Sequence, residues 1–206
     1  MPNARVGQGA TACQRKLDAA SIAYRPAEFE SQSPEGHPDL VCGVDDPVWV
    51  AGTIHGVAFL RGRENKPSRM LASCELAIAL GRLAQQAKAQ GITQVIHAGT
   101  TQCRTISGGD RLSQHAYGRA IDVLGFRTAD HHTWSVSRDW EHNTAHPAAP
   151  KGRGLFLFAQ RMHEDFVFNI VLTPEYNDAH KDHFHLDLTP DRHFISRGRE
   201  DLLLGD

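Results

Sequence analysis

The sequence lacks long apolar runs, an excess of charge of one sign and closely spaced cysteines. Its longest unbroken apolar stretches, such as Leu76 to Leu80 and Leu155 to Ala159, stop far short of the roughly 18 to 20 residues a membrane-spanning helix needs, so no such span is expected. Lys and Arg number 22 against 24 Asp and Glu, a formal net charge of −2, which excludes a polycationic nucleic-acid binder. No C-x-x-C pair suggests a zinc ribbon or redox motif. Aromatics are sparse at 7%, but the 40% hydrophobic share still provides for a core within the 206 residues. The opening Met1-Pro-Asn-Ala-Arg5 has neither the charged nor the apolar region of a secretory leader, and a chain starting after a cleavage site would look the same.

What is present reads as a mixed chain. Residues 1–40 are rich in Ser, Pro, Gly, Glu and His and read as an N-terminal wrap, with a short helix near Cys13 to Ala20; residues 41–206 form the domain proper. Val48 to Ala51 and Val57 to Leu60 read as paired strands, or as a strand and a loop. The main helix is predicted from just after Pro67-Ser68 to Gly91, with Leu76, Leu80, Leu83 and Ala87 on one face, and a second helix from Leu155 to Phe166. Strands are expected at Ile92 to Ala98, Ala120 to Leu124, Trp134 to Val136, Phe168 to Leu172 and Phe184 to Leu188. Without a regular βαβ alternation, this is α+β: a single domain with a small, mostly antiparallel sheet flanked by helices.

Two segments carry chemistry. In His180-Lys-Asp-His183-Phe-His185-Leu-Asp187, residues His183, His185 and Asp187 recur with period two. On a strand they share one face, while Phe184, Leu186 and Leu188 take the other. Two imidazoles and a carboxylate on one face suit a transition metal, although a plain solvated face remains the alternative. In Ser113-Gln-His115-Ala-Tyr-Gly118-Arg-Ala120-Ile-Asp122, a histidine in a glycine-containing loop precedes an aspartate on a short strand. His115, Asp122 and one histidine of the other segment make three protein ligands and leave a fourth position for water, the pattern of a catalytic rather than a structural zinc site.

Ser113, His115, Gly118, Ala120 and Asp122 match S-x-H-x-x-G-x-A-x-D, and His183-Phe-His185 matches H-x-H. These are motifs of the zinc peptidase group that includes lysostaphin, D-alanyl-D-alanine peptidases and hedgehog. Within that group the chain most resembles the extensin-like C-terminal domain family, through Cys103-Arg104, Leu112 to Phe126, Asp139-Trp140, Val171 to Asn177 and His180 to Leu188, with Cys42 to Val44 and Cys74 upstream. Residues 127–165 fit least well.

The resemblance implies that His115, Asp122 and His185 hold Zn2+. His183 would stand beside the metal as catalytic base or transition-state stabiliser. Asp182 is its rival, ranked second because on a strand it would face away from His183. His180 matches a further histidine near the zinc of some murein endopeptidases. Arg104 would bind substrate or the developing oxyanion, with a surface salt bridge as the alternative. Ser113 and Asp187 would support the ligands rather than react. The implied activity is hydrolysis of peptidoglycan stem peptides by metal-activated water, as a D,D-endopeptidase. A D,D-carboxypeptidase, or a non-catalytic cell-wall module with structural zinc, are the alternatives. A monomer in the periplasm or outside the cell is implied.

Spacing alone leaves Cys13, Cys42, Cys74 and Cys103 open between disulfides and buried thiols. The family's envelope location favours disulfides. Among three connectivities, joining sequential segments predicts Cys13 with Cys42 and Cys74 with Cys103.

Overall fold

A computed structural model of the chain describes residues 11–62, 64, 66–106 and 109–196. It opens with α1 (Ala12–Ala19), whose N-cap Thr11 and Gln14 form a reciprocal capping box. Strands β1 (Tyr24–Pro26) and β2 (Pro47–Val50) follow, then β3 (Thr53–Ile54), β4 (Val57–Arg61) and β5 (Met70–Ser73). Next come α2 (Cys74–Ala89), β6 (Ile92–Gly99), β7 (Ala120–Thr128) and β8 (Thr133–Ser135). The chain ends with α3 (Val136–Asp139), α4 (Pro150–Glu164), β9 (Ile170–Leu172), β10 (Phe184–Asp187) and β11 (Phe194–Ile195). The fold is α+β.

There are two sheets. One has three strands in the order β1-β2-β5. The other has eight, larger than the small sheet expected, in the order β11-β9-β10-β7-β6-β4-β3 with β8 on β7. It is mostly antiparallel, with β4–β6 and β9–β11 parallel. The two runs Val48 to Ala51 and Val57 to Leu60 therefore lie in different sheets rather than pairing with each other. Residues 12–26, read as a wrap, contribute Leu17 and Ile22 to the common core and pair β1 with β2.

Helix α2 packs on the large sheet, with α1 and α4 beside it. Its apolar face buries Leu76, Leu80, Leu83 and Ala87 completely, the stripe the sequence indicates. Each fully buried leucine stabilises the fold by about 1.5–3 kcal/mol. The helix starts later than expected. Met70 to Ser73 are good helix formers by composition, yet they pair with Pro47 to Val50 as β5. Ser73 then caps α2, its Oγ accepting from the Leu76 N–H at 3.2 Å. Strand β7 runs on to Thr128 instead of stopping near Leu124, because β6 and β8 both pair with its second half.

All four cysteines are oxidised, but the sequential pairing is incorrect. Cys13 bonds Cys74 and Cys42 bonds Cys103, with Cα–Cα distances of 6.0 and 5.6 Å. The physical reason is helix docking: α1 lies against α2, which brings the first turns of both helices together. Cys42, bridged to Gln32 in an isolated β-bridge, reaches the segment after β6. Both bonds close spans of 61 residues and interleave along the chain. Each such closure is worth about 4 kcal/mol in the chain-entropy model.

Candidate metal centre

The first ligand candidate, His115, sits in a single 3-10 turn, Gln114–Tyr117. Ser113 caps that turn, its Oγ accepting from the His115 N–H at 3.4 Å, so it holds the loop. The turn ends at Gly118, where φ is +61° and a Cβ would stand 2.9 Å from Val44 Cγ1 and 3.0 Å from the Ser73 nitrogen. Left-handed backbone and close approach together demand glycine here. Ala120 then starts β7 fully buried, and Asp122 follows on the opposite side from Ile121 and Val123. On β10, His185 is registered directly opposite Asp122, and Phe184 opposite Val123. This pairing brings the two motifs together.

His115 Nε2, Asp122 Oδ1 and His185 Nδ1 form a triangle with edges of 3.0, 3.3 and 2.8 Å. Ligands of a tetrahedral zinc at about 2.0–2.1 Å are about 3.3 Å apart, so the three donors stand close to the spacing such an ion requires. The remaining ring nitrogens are tied back. His115 Nδ1 donates to the Thr100 carbonyl at 3.1 Å, and His185 Nε2 donates to Asp187 Oδ2 at 3.0 Å. Asp187 is itself held by the Thr189 N–H at 2.7 Å. Such partners fix the tautomer and aim of metal-binding imidazoles. Among the described residues, the one other group of metal-binding type is Cys13, Asp46 and Cys74, whose sulfurs are consumed in a disulfide.

Electrostatics agree with a cation at this place. Burial opposes ionisation of Asp122, yet hydrogen bonds to His115 and His185 hold its carboxyl well below the usual carboxylate range. Burial would also lower His185, but hydrogen bonds to Asp122 and Asp187 carry it up to about 9. At neutral pH the His185 imidazole therefore carries both ring protons, one toward each carboxylate.

His183 and Asp182 precede β10 rather than belonging to it. Strand alternation does not separate them, and Asp182 Oδ1 accepts from His183 Nδ1 at 2.8 Å. The second ring nitrogen of His183 lies 3.7 Å from Asp122 Oδ1, just outside the triangle. His180 lies nearby, its ring centre 5.2 Å from that of His183, to which it is tilted, and 5.8 Å from that of His185, which it meets edge-on. Burial, and then the neighbouring imidazoles, lower its pKa to about 4. Its Nδ1 donates to Asn177 Oδ1 at 2.6 Å. The cluster opens into a groove of ≈ 820 Å³ that Arg104, Tyr117, Leu172, Tyr176 and His180 help to line. Arg104 contacts the Thr105 carbonyl at 3.4 Å, so no salt bridge holds its guanidinium among the described residues.

Sequence reasoning missed Thr100, which contributes only its carbonyl and so leaves no side-chain signature. It also missed Asn177, whose role follows from the turn that presents His180.

A family model described as extensin-like protein C-terminus matches residues 11–196. The chain belongs to the extensin-like C-terminal family. The match includes α1 and β1, in keeping with their place in the shared core of this extensin-like domain. No curated protein matches the chain significantly.

Proposed function

We propose that this extensin-like domain is a zinc-dependent peptidoglycan peptidase, a D,D-endopeptidase of stem-peptide cross-links. The observation that carries the reading is the His115, Asp122, His185 triangle, with each imidazole oriented from behind, at the edge of a groove of ≈ 820 Å³. His115, Asp122 and His185 would hold the ion, leaving one position free. A bound Zn2+ supplies Lewis acidity: it acidifies water and polarises the scissile carbonyl.

The chain's own groups do the rest. Asp182 fixes the N–H of His183 on Nδ1, so Nε2 is left as the base facing the cluster. It takes the proton of the attacking water and returns it to the leaving amine. Arg104, which lines the groove and has no ion-pair partner among the described residues, stabilises the developing oxyanion. The motif resemblance to lysostaphin-type and D-alanyl-D-alanine peptidases supports this substrate class. Two disulfides support an oxidising, exported compartment. Among the described residues no helix is long and apolar enough to cross a membrane.

The test is digestion of purified sacculi followed by separation of muropeptides. Loss of cross-linked dimers, abolished by chelation and restored by Zn2+, is the expected result. Unchanged muropeptides from protein that carries its metal would overturn the reading.

A further inference from the structure

A second cleft, of ≈ 430 Å³, shares no lining residue with the groove. Its wall includes Trp49 of β2, Arg61 of β4, Arg69 just before β5, and His97 near the end of β6. His97 is registered beside Arg61 on one side and Val123 on the other, with register shifts flanking the His97–Val123 pair. It is 2% exposed, and neither ring nitrogen has a hydrogen-bond partner among the described residues. A buried polar atom left unpaired costs about 1–3 kcal/mol, and native proteins satisfy nearly all of them with protein, water or ligand. Burial, and then Arg61, lower the His97 pKa to about 4. At neutral pH its imidazole is uncharged and offers one donor and one acceptor.

The charges around it are uneven. Arg61 and Arg69 are exposed and make no ion pair among the described residues, whereas Glu64 is the single carboxylate of the lining. Arg69 lies 5.9 Å from the Trp49 ring centre, and Trp49 remains 39% exposed. Two guanidiniums suit a carboxylate. A neutral imidazole suits a neighbouring hydroxyl, and an indole face suits a compact ring. The volume falls within the roughly 300–1,000 Å³ of small-molecule sites. A simple inorganic anion would leave the indole and the imidazole unused.

We propose that this cleft binds a sugar acid, its carboxylate between Arg61 and Arg69, a hydroxyl at His97 and its ring against Trp49. The occupant would touch Thr100, which lines this cleft and whose carbonyl orients His115.

N-acetylmuramic acid is titrated into the full chain while the His97 ring nitrogens and the Trp49 indole N–H are followed by 15N NMR. N-acetylglucosamine serves as the sugar lacking the carboxylate, and inorganic phosphate as the anion lacking the sugar. Saturable shifts at both residues are expected with the sugar acid. Binding should weaken about tenfold or more with either comparison compound, and by about as much in R61Q and R69Q, whose unchanged spectra elsewhere report the fold. No saturation by about 10 mM overturns the proposal. So does equal binding of either comparison compound, or a response confined to the groove. Binding is read without turnover, so the result stands apart from whether the groove hydrolyses peptides.

Discussion

At the scale of single residues, His183 and His185 divide the work although they are two positions apart. His185 is buried between two carboxylates and faces the triangle, so His185→Ala should lose tight zinc binding, as measured by metal analysis after dialysis. His183 stands outside the triangle, so His183→Ala should keep the metal and lose about 10²–10⁴-fold in turnover. Full metal in the first variant, or lost metal in the second, would exchange their roles. His97 allows a separate pH prediction. Its pKa is about 4 when folded against 6.5 as a free side chain, with burial first and then Arg61 pushing it down and Asp122 opposing. Between those values the unfolded chain binds a proton that the native chain refuses, so stability rises with pH across this window and is lost as pH falls toward about 4. The loss approaches about 3 kcal/mol, and urea melts of the wild type and of His97→Phe at several pH values would reveal it by the flatter profile of the variant.

At the scale of elements, two short devices place the ligands. The Ser73 cap joins β5 to α2, and the Gly118 nitrogen and carbonyl close the turn bearing His115, the carbonyl accepting from the Ser73 N–H at 2.9 Å. Ser73→Ala should cost about 1 kcal/mol of stability with little effect on metal content. Gly118→Ala should cost more, because strain at positive φ adds to the contacts with Val44 and Ser73, and it should also loosen the His115 loop. Thermal melts with metal analysis separate the two outcomes. The motif glycine was legible in the sequence because few other residues tolerate such a turn. The strand at Met70 to Ser73 was not, because its conformation comes from pairing with β2 and contradicts its own helix propensity.

At the scale of the whole molecule, the disulfides tie distant segments. Cys42–Cys103 anchors the chain beside Arg104 and runs from the N-terminal half to the groove wall. Non-reducing peptide mapping should recover Cys13 with Cys74 and Cys42 with Cys103; any other pairing would contradict the docking of α1 on α2. Replacing Cys42 and Cys103 by Ser should cost up to about 4 kcal/mol, read from denaturant melts.

The sequence alone determined the fold class and the apolar stripe of α2, because helical spacing expresses itself residue by residue, and the motif resemblance named the candidate ligands. Tertiary structure decided what spacing cannot encode. The antiparallel register of β10 on β7 set His185 against Asp122, and helix docking chose among the disulfide pairings. The Thr100 carbonyl became the brace behind His115 only through the path of the chain after β6. Backbone carbonyls are identical in every residue, and contacts between remote segments leave no local pattern, so both become visible only once the chain has folded.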